Sequence, residues 1–114
     1  FFAGAITFED VTNHKPYPDA YLKAIKKSGV ENKNSIVIED SIPGLLSAKQ
    51  ASLECILTLP TWNQSLSTQM KQAGAVLDHL GANDSPCSVL IGPKCIDRLV
   101  TIKYLESIIN RKYN

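Results

Sequence analysis

The chain has 114 residues, with 12 basic and 11 acidic side chains and a formal net charge of +1. This length is enough for one small domain with a modest core. The near balance of charge, without a long basic run, gives no electrostatic case for nucleic acid or an anionic membrane as a partner. Small phosphorylated ligands need only local charge and stay compatible with this composition.

The first eight residues are apolar, but they are too few to span a membrane and lack the basic leader of a signal peptide. They predict a strand with Glu9 and Asp10 at its exit. The chain opens on Phe1 rather than methionine, so we expect it to be a piece of a longer polypeptide. Three cysteines without metal-ligand spacing leave one thiol over in any pairing scheme and indicate a reducing, cytoplasmic environment: Cys55, Cys87 and Cys95.

Apolar periodicity predicts helices and strands in alternation through the middle of the chain. The predicted helices cover residues 18–28, 43–52 and 64–73, and the predicted strands cover residues 35–38, 55–59 and 75–77. Pro18 suits the first turn of the first helix, and Gly29 can end it. Such alternation is typical of an α/β fold with a parallel sheet and right-handed crossovers.

The last part of the chain carries weaker signals. We predict a surface loop at 81–86, a small extra strand at 89–93 and a terminal helix at 102–110. The apolar positions of that helix are expected to face inward: Leu105, Ile108 and Ile109. Residues 1–80 are thus the predicted core, and residues 81–114 are a predicted extension that packs on it.

The predicted strand at 35–38 ends in two adjacent carboxylates, Glu39 and Asp40. Ligands of open α/β sheets bind at the carboxyl ends of strands, and a buried unpaired charge is costly. Mg²⁺ takes one or two protein carboxylates, with water and phosphate as its other ligands. We therefore predict a magnesium site here, with a solvated loop as the alternative. Ser41, which follows, either orients the two acids or simply caps the next helix.

Lys15 lies between His14 and Pro16. A residue before proline is pushed out of helical conformation, so Lys15 is expected to be extended. Its ammonium group can then neutralise a phosphate or pair with a nucleophilic carboxylate, and a solvated surface lysine is the alternative. His14 is either a substrate contact or a surface histidine. Trp62 either lines the pocket or packs under a loop, and His79 is expected to be structural.

Two segments together closely resemble the haloacid dehalogenase (HAD) superfamily: Lys15-Pro-Tyr-Pro-Asp-Ala-Tyr21 and Ile36-Val-Ile-Glu-Asp-Ser-Ile-Pro-Gly-Leu-Leu46. The third motif of that family is a lysine in a Lys-Pro-x-Pro setting, and the fourth is an acidic pair in a hydrophobic-Glu-Asp-Ser-x-x-Gly setting. The likeness is strongest to the subgroup of β-phosphoglucomutase and the CbbY-type sugar-bisphosphate phosphatases. It covers roughly residues 1–80.

The resemblance implies a Rossmann-like core, Mg²⁺ as cofactor and hydrolysis of a small sugar phosphate or bisphosphate through an aspartyl-phosphate intermediate. It implies that Lys15 steadies the phosphate and the nucleophile and that Ser41 contributes to the phosphate site. Glu39 and Asp40 would hold the metal, with Asp40 as the direct ligand. A phosphoglucomutase would use the same residues, and a non-catalytic α/β module that binds proteins is a further alternative.

Two motifs of the family are not found in this sequence: the nucleophile motif Asp-x-Asp-Gly-(Thr/Val) and the Ser or Thr that binds phosphate. In the family both normally lie upstream of the matching segment, together with the cap domain, so we expect truncation to explain their absence. The segment Gln50-Ala-Ser-Leu53 also stands where relatives usually have Ala-Ala-Gly-Met.

The resemblance also implies a family strand order of 5-4-1-2-3, of which this chain would supply strands 3, 4 and 5 from residues 1–8, 35–38 and 55–59. Those strands would flank a gap two strands wide, with unpaired edges. We therefore expect the chain to require the missing N-terminal part of the fold, and to be inactive and unstable alone.

Overall fold

The computed structural model describes residues 3–59 and 68–113. Three α-helices and four strands form its regular structure, joined by short 3₁₀ turns. The helices are α1 (Asp19–Ser28), α2 (Ile42–Gln50) and α3 (Ile102–Tyr113), the strands are β1 (Ile36–Glu39), β2 (Glu54–Thr58), β3 (Ala75–Leu77) and β4 (Val89–Ile91), and the 3₁₀ turns are Phe8–Asp10, Asn32–Asn34 and Thr68–Gln72.

The strands make one sheet in the order β1-β2-β3-β4. The first three strands are parallel, with Ile38 of β1 opposite Ile56 of β2, and β4 pairs antiparallel with β3. The predicted α/β fold with a parallel sheet and flanking helices is therefore confirmed, with one antiparallel strand added at the edge.

The sheet is covered on both faces because α2 and α3 pack on opposite sides of it. On one face, Leu57 of β2 packs with Leu45 of α2, and α1 lies at the margin of this cluster. On the other face, Ile56 packs with Tyr104 and Ile108 of α3. Residues Glu54 to Leu57 of β2 are all buried, as expected for a central parallel strand.

Most predicted elements are present, with boundaries shifted by a few residues. The terminal helix extends to Tyr113, and Ile108 is buried as predicted. The predicted helix at 64–73 lies partly outside the described residues, and its described part is the 3₁₀ turn Thr68–Gln72. Gly29 ends α1 in the left-handed region, at a φ of 70°.

The predicted strand at 1–8 is wrong over its described part, residues 3–8. Those residues form no strand, and Phe8 opens a 3₁₀ turn at which Asp10 Oδ2 accepts hydrogen bonds from the Thr7 N–H at 2.7 Å and the Thr7 hydroxyl at 2.9 Å. A strand needs a neighbouring strand to accept its backbone hydrogen bonds, and none lies beside this segment in the described part of the chain. The expected gap in the sheet is therefore absent, and β1 is an edge strand instead.

Candidate active site

The two predicted metal-binding acids lie at the carboxyl end of β1. Glu39 is the last residue of the strand and is 7% exposed, whereas Asp40 follows it and is exposed. Ser41 then begins α2: its backbone is extended, and its Oγ accepts a hydrogen bond from the Gly44 N–H at 3.2 Å. The structure thus gives Ser41 the N-cap geometry that is one of its two predicted roles.

The loop that carries Lys15 is fastened to α2 by two side chains of that helix. Ser47 Oγ donates to the carbonyl oxygen of Tyr17 at 2.6 Å, and Gln50 Nε2 donates to that of Pro16 at 2.8 Å. Because α2 begins directly after β1, these hydrogen bonds bring the lysine loop to the carboxyl end of the strand. There Lys15 Nζ forms an ion pair with Glu39 Oε1, across 24 residues of sequence.

Tyr21, in the first turn of α1, packs against the core and is also a member of the site. Its hydroxyl donates a hydrogen bond to Glu39 Oε1, the same oxygen that Lys15 contacts, and Lys15 Nζ lies 5.5 Å from the centre of its ring. Burial raises the pKa of the Tyr21 phenol, and the hydrogen bond to Glu39 adds to the rise. The phenol therefore stays protonated and remains a donor. Its position six residues after the motif lysine is the only sequence signal that could have placed it here.

The second oxygen of Glu39 is enclosed by the backbone of α2. A Cβ atom built on Gly44 would overlap Glu39 Oε2 and the carboxyl carbon. The absence of a side chain at Gly44 therefore allows the helix to approach the carboxylate closely. Glu39 is held by two donors on one side and a helix on the other.

Asp40 and Glu39 differ in what they can offer a metal ion. Glu39 Oε1 already accepts hydrogen bonds from Lys15 Nζ and the Tyr21 hydroxyl. Asp40, in contrast, is exposed and takes part in no ion pair within residues 3–59 and 68–113. Those residues contain no group of three or more potential ligands among His, Cys, Asp and Glu. The donor set fits Mg²⁺, which needs only one or two protein carboxylates when water and phosphate complete its shell.

Comparison with known proteins places this site in a family. A family model described as "Haloacid dehalogenase-like hydrolase" matches residues 1–58, which include Lys15, Glu39, Asp40 and Ser41. The chain belongs to this family. Its resemblance to the HAD superfamily, stated above from the two motifs, is thereby confirmed at the level of the family.

Several curated proteins share parts of this HAD sequence. Protein SUPPRESSOR OF QUENCHING 1, chloroplastic, from Arabidopsis thaliana is 30% identical over 97% of the chain. Putative phosphatase YhcW from Bacillus subtilis is 39% identical over 45% of the chain, and plasmid-encoded protein CbbY from Cupriavidus necator is 36% identical over 63%. The chain spans 10%, 23% and 28% of the lengths of these three relatives, respectively. No solved structure matches the chain significantly.

The remaining candidate residues are two histidines and a tryptophan. The ring of His14 stacks on that of Phe8, with 3.7 Å between the ring centres, and this contact supports a structural role. His79 Nδ1 accepts a hydrogen bond from the Gly81 N–H at 2.9 Å, as a structural histidine would. Trp62 lies outside the described residues.

Two open cavities adjoin the candidate site. One of about 500 Å³ lies between residues 3–6 and α1, and Lys15 and Tyr21 contribute to its lining. The other, of about 350 Å³, lies between α1 and β1. No helix in the described part of the chain is long and apolar enough to cross a membrane.

Proposed function

We propose that the chain is the C-terminal part of a Mg²⁺-dependent phosphatase that acts on a small sugar phosphate or bisphosphate. One observation carries the proposal: Lys15, on its own loop, is fastened beside the acidic pair at the carboxyl end of β1. Family membership supports the hydrolase class, and one relative is named a putative phosphatase. The sugar-phosphate substrate rests on the likeness of the motifs to the CbbY subgroup, and a relative named CbbY is among the matches.

Each site residue has a role that its surroundings support. The side chain of Lys15 is 43% exposed, so its ammonium group can reach a phosphate oxygen and offset the charge that develops there. Glu39 holds Lys15 in place. Asp40 is the proposed direct ligand of Mg²⁺, Glu39 belongs to the same metal site, and Ser41 orients this acidic segment and the phosphate. When bound, Mg²⁺ neutralises negative charge on the phosphoryl oxygens.

The nucleophile of this reaction would come from outside the chain. In the proposed first step, an aspartate carboxylate attacks phosphorus, the bond between phosphorus and the sugar oxygen breaks, and that oxygen takes up a proton. In the second step, water attacks the aspartyl phosphate, which releases phosphate and restores the carboxylate. Lys15 would offset negative charge in both steps.

The free edge of β1 is where we propose that the N-terminal part of the fold docks. β1 pairs only with β2 within the described residues, and Ile38 on this edge strand is 44% exposed. Parallel strands are normally buried on both faces, and the cavity between α1 and β1 leaves room beside the edge. The chain covers at most 28% of the three relatives described above, so a longer protein can supply such a strand.

The proposal is tested on the intact protein that carries this chain, with p-nitrophenyl phosphate and a panel of sugar phosphates. We expect Mg²⁺-dependent release of inorganic phosphate, its loss on chelation, and a drop of about 10²- to 10³-fold in kcat for Lys15→Ala. Lys26→Ala, which removes an exposed lysine from α1, should change kcat less than about twofold. The isolated 114-residue chain should show no activity.

Full activity of Lys15→Ala, or hydrolysis without any divalent ion, would refute the proposal. The products decide between the two catalytic alternatives, since a mutase returns an isomeric sugar phosphate rather than inorganic phosphate. A folded intact protein with neither activity would favour the protein-binding module. We further propose a cytoplasmic location because the three cysteines are free thiols, and a fluorescent fusion would test it.

A further inference from the structure

Glu39 Oε1 has two donors that differ in their freedom to move. Lys15 has a long side chain that is 43% exposed, whereas Tyr21 is anchored in α1 and its ring is half-buried. Glu39 itself is fixed, because its side chain is 6% exposed and lies against Gly44. Among Lys15, Tyr21 and Glu39, Lys15 is therefore the residue whose side chain can swing toward a ligand.

A buried carboxylate that loses its partner carries a large free-energy penalty. If Lys15 were the only donor to Glu39 Oε1, any movement of its ammonium group toward phosphate would leave this charge unpaired. The Tyr21 hydroxyl donates to the same oxygen and stays in place when Lys15 moves. The aromatic ring also keeps the ammonium group nearby, at 5.5 Å from the ring centre.

We propose that Tyr21 is a positioning residue for the phosphoryl group: its hydroxyl satisfies Glu39 so that Lys15 can turn to the phosphate. The inference rests on the proposed function and adds to it a residue that the family motif does not single out. Tyr21 does not touch the substrate in this scheme, and it acts through Glu39 and Lys15. Without the Tyr21 hydroxyl, Lys15 would be the remaining donor to Glu39 Oε1. Phosphate would then compete with Glu39 for the ammonium group of Lys15.

The experiment measures binding of inorganic phosphate to the intact protein in Mg²⁺ by calorimetry, for the unsubstituted protein and for Tyr21→Phe. Phenylalanine keeps the ring packing and removes only the hydroxyl. We expect phosphate binding to weaken about 10-fold, which is the size of one hydrogen bond to a charged group. The KM for the phosphorylated substrate should rise with it.

Tyr104→Phe is the matched control, because Tyr104, a buried residue of α3 in the other core cluster, also donates its hydroxyl once, to the carbonyl oxygen of Pro93 at 2.8 Å. It should leave phosphate affinity within about twofold of the unsubstituted protein while losing a comparable hydrogen bond. In a protein that already carries Glu39→Gln, which removes the charge that pairs with Lys15, adding Tyr21→Phe should not change phosphate affinity further.

Unchanged or tighter phosphate binding by Tyr21→Phe would overturn the role of Tyr21 alone. An equal loss of phosphate affinity in Tyr104→Phe would also overturn it, since the effect would then be a general consequence of lost stability. If the unsubstituted protein neither binds nor releases phosphate, the proposed function itself fails. The two failures are therefore distinguishable.

Discussion

Substitution of Gly44 by alanine has two opposing effects on the free energy of unfolding. Helix propensity should raise it, and steric overlap with Glu39 should lower it. Gly44 lies in the first turn of α2, where alanine is favoured over glycine by about 1 kcal/mol. A Cβ atom at this position would, however, overlap the carboxylate of Glu39. Because Glu39 is at the end of β1 and is buried, either its side chain or the start of α2 must move.

The expected cost follows from the contacts that Glu39 would lose. The hydrogen bond from Tyr21 to the charged carboxylate contributes about 1.5–3 kcal/mol, and the ion pair with the half-exposed Lys15 adds no more than about 1 kcal/mol after solvent screening. Subtracting about 1 kcal/mol of gained helix propensity leaves a net destabilisation of about 2 kcal/mol for Gly44→Ala.

Denaturant unfolding of the intact protein measures this free energy. Gly4→Ala is the matched control, because its Cβ would meet only the flexible end of the Lys27 side chain, 3.1 Å away. The control should lie within about 0.5 kcal/mol of the unsubstituted protein. Equal or greater stability of Gly44→Ala would refute the reasoning, because helix propensity would then outweigh the contact with Glu39.

Three further substitutions test the surroundings of the site. Ser41→Ala should lower the free energy of unfolding by about 1 kcal/mol because the Gly44 N–H loses its cap, and an unchanged value would contradict that role. Ser52→Gly should raise it by about 0.5–1 kcal/mol, since Ser52 has a φ of 59°, and a lower value would show that the left-handed backbone is not strained. Burial raises the pKa of the Cys55 thiol from 9.0 to about 12, so it contributes stability that is complete below about pH 9 and is lost as the pH rises toward 12. Denaturant unfolding at rising pH should show this loss reduced in Cys55→Ala, and an identical pH dependence would contradict the assignment.

The predicted residues Lys15 and Glu39 meet in the structure because their motifs are attached to elements that the sequence also predicts. Proline, glycine and serine mark the boundaries of α1 and α2, and apolar runs mark β1 and β2, so local signals sufficed there. The site assigned to Asp40 and Ser41 stays a prediction as regards metal and phosphate.

The strand predicted at the start of the chain shows where local signals are not enough. Its apolar residues resemble those of β1, but a strand exists only when another strand completes its hydrogen bonds, and this one has no neighbour in the described chain. Tyr21 shows the same limit at the level of one side chain. It packs against the core, and nothing in its spacing on α1 shows that its hydroxyl reaches Glu39.

The α/β class, the order of the central elements and the two motifs that identify the family can be predicted from local sequence, because each depends on neighbouring residues. Which atoms share the Glu39 carboxylate, and which edge of the sheet stays open, is known only from the folded chain. Those features join Lys15, Tyr21 and Gly44, which lie on separate elements of the fold. Contacts of this kind depend on how the loop, the helices and the strand pack, and packing is set by the whole domain rather than by any one segment.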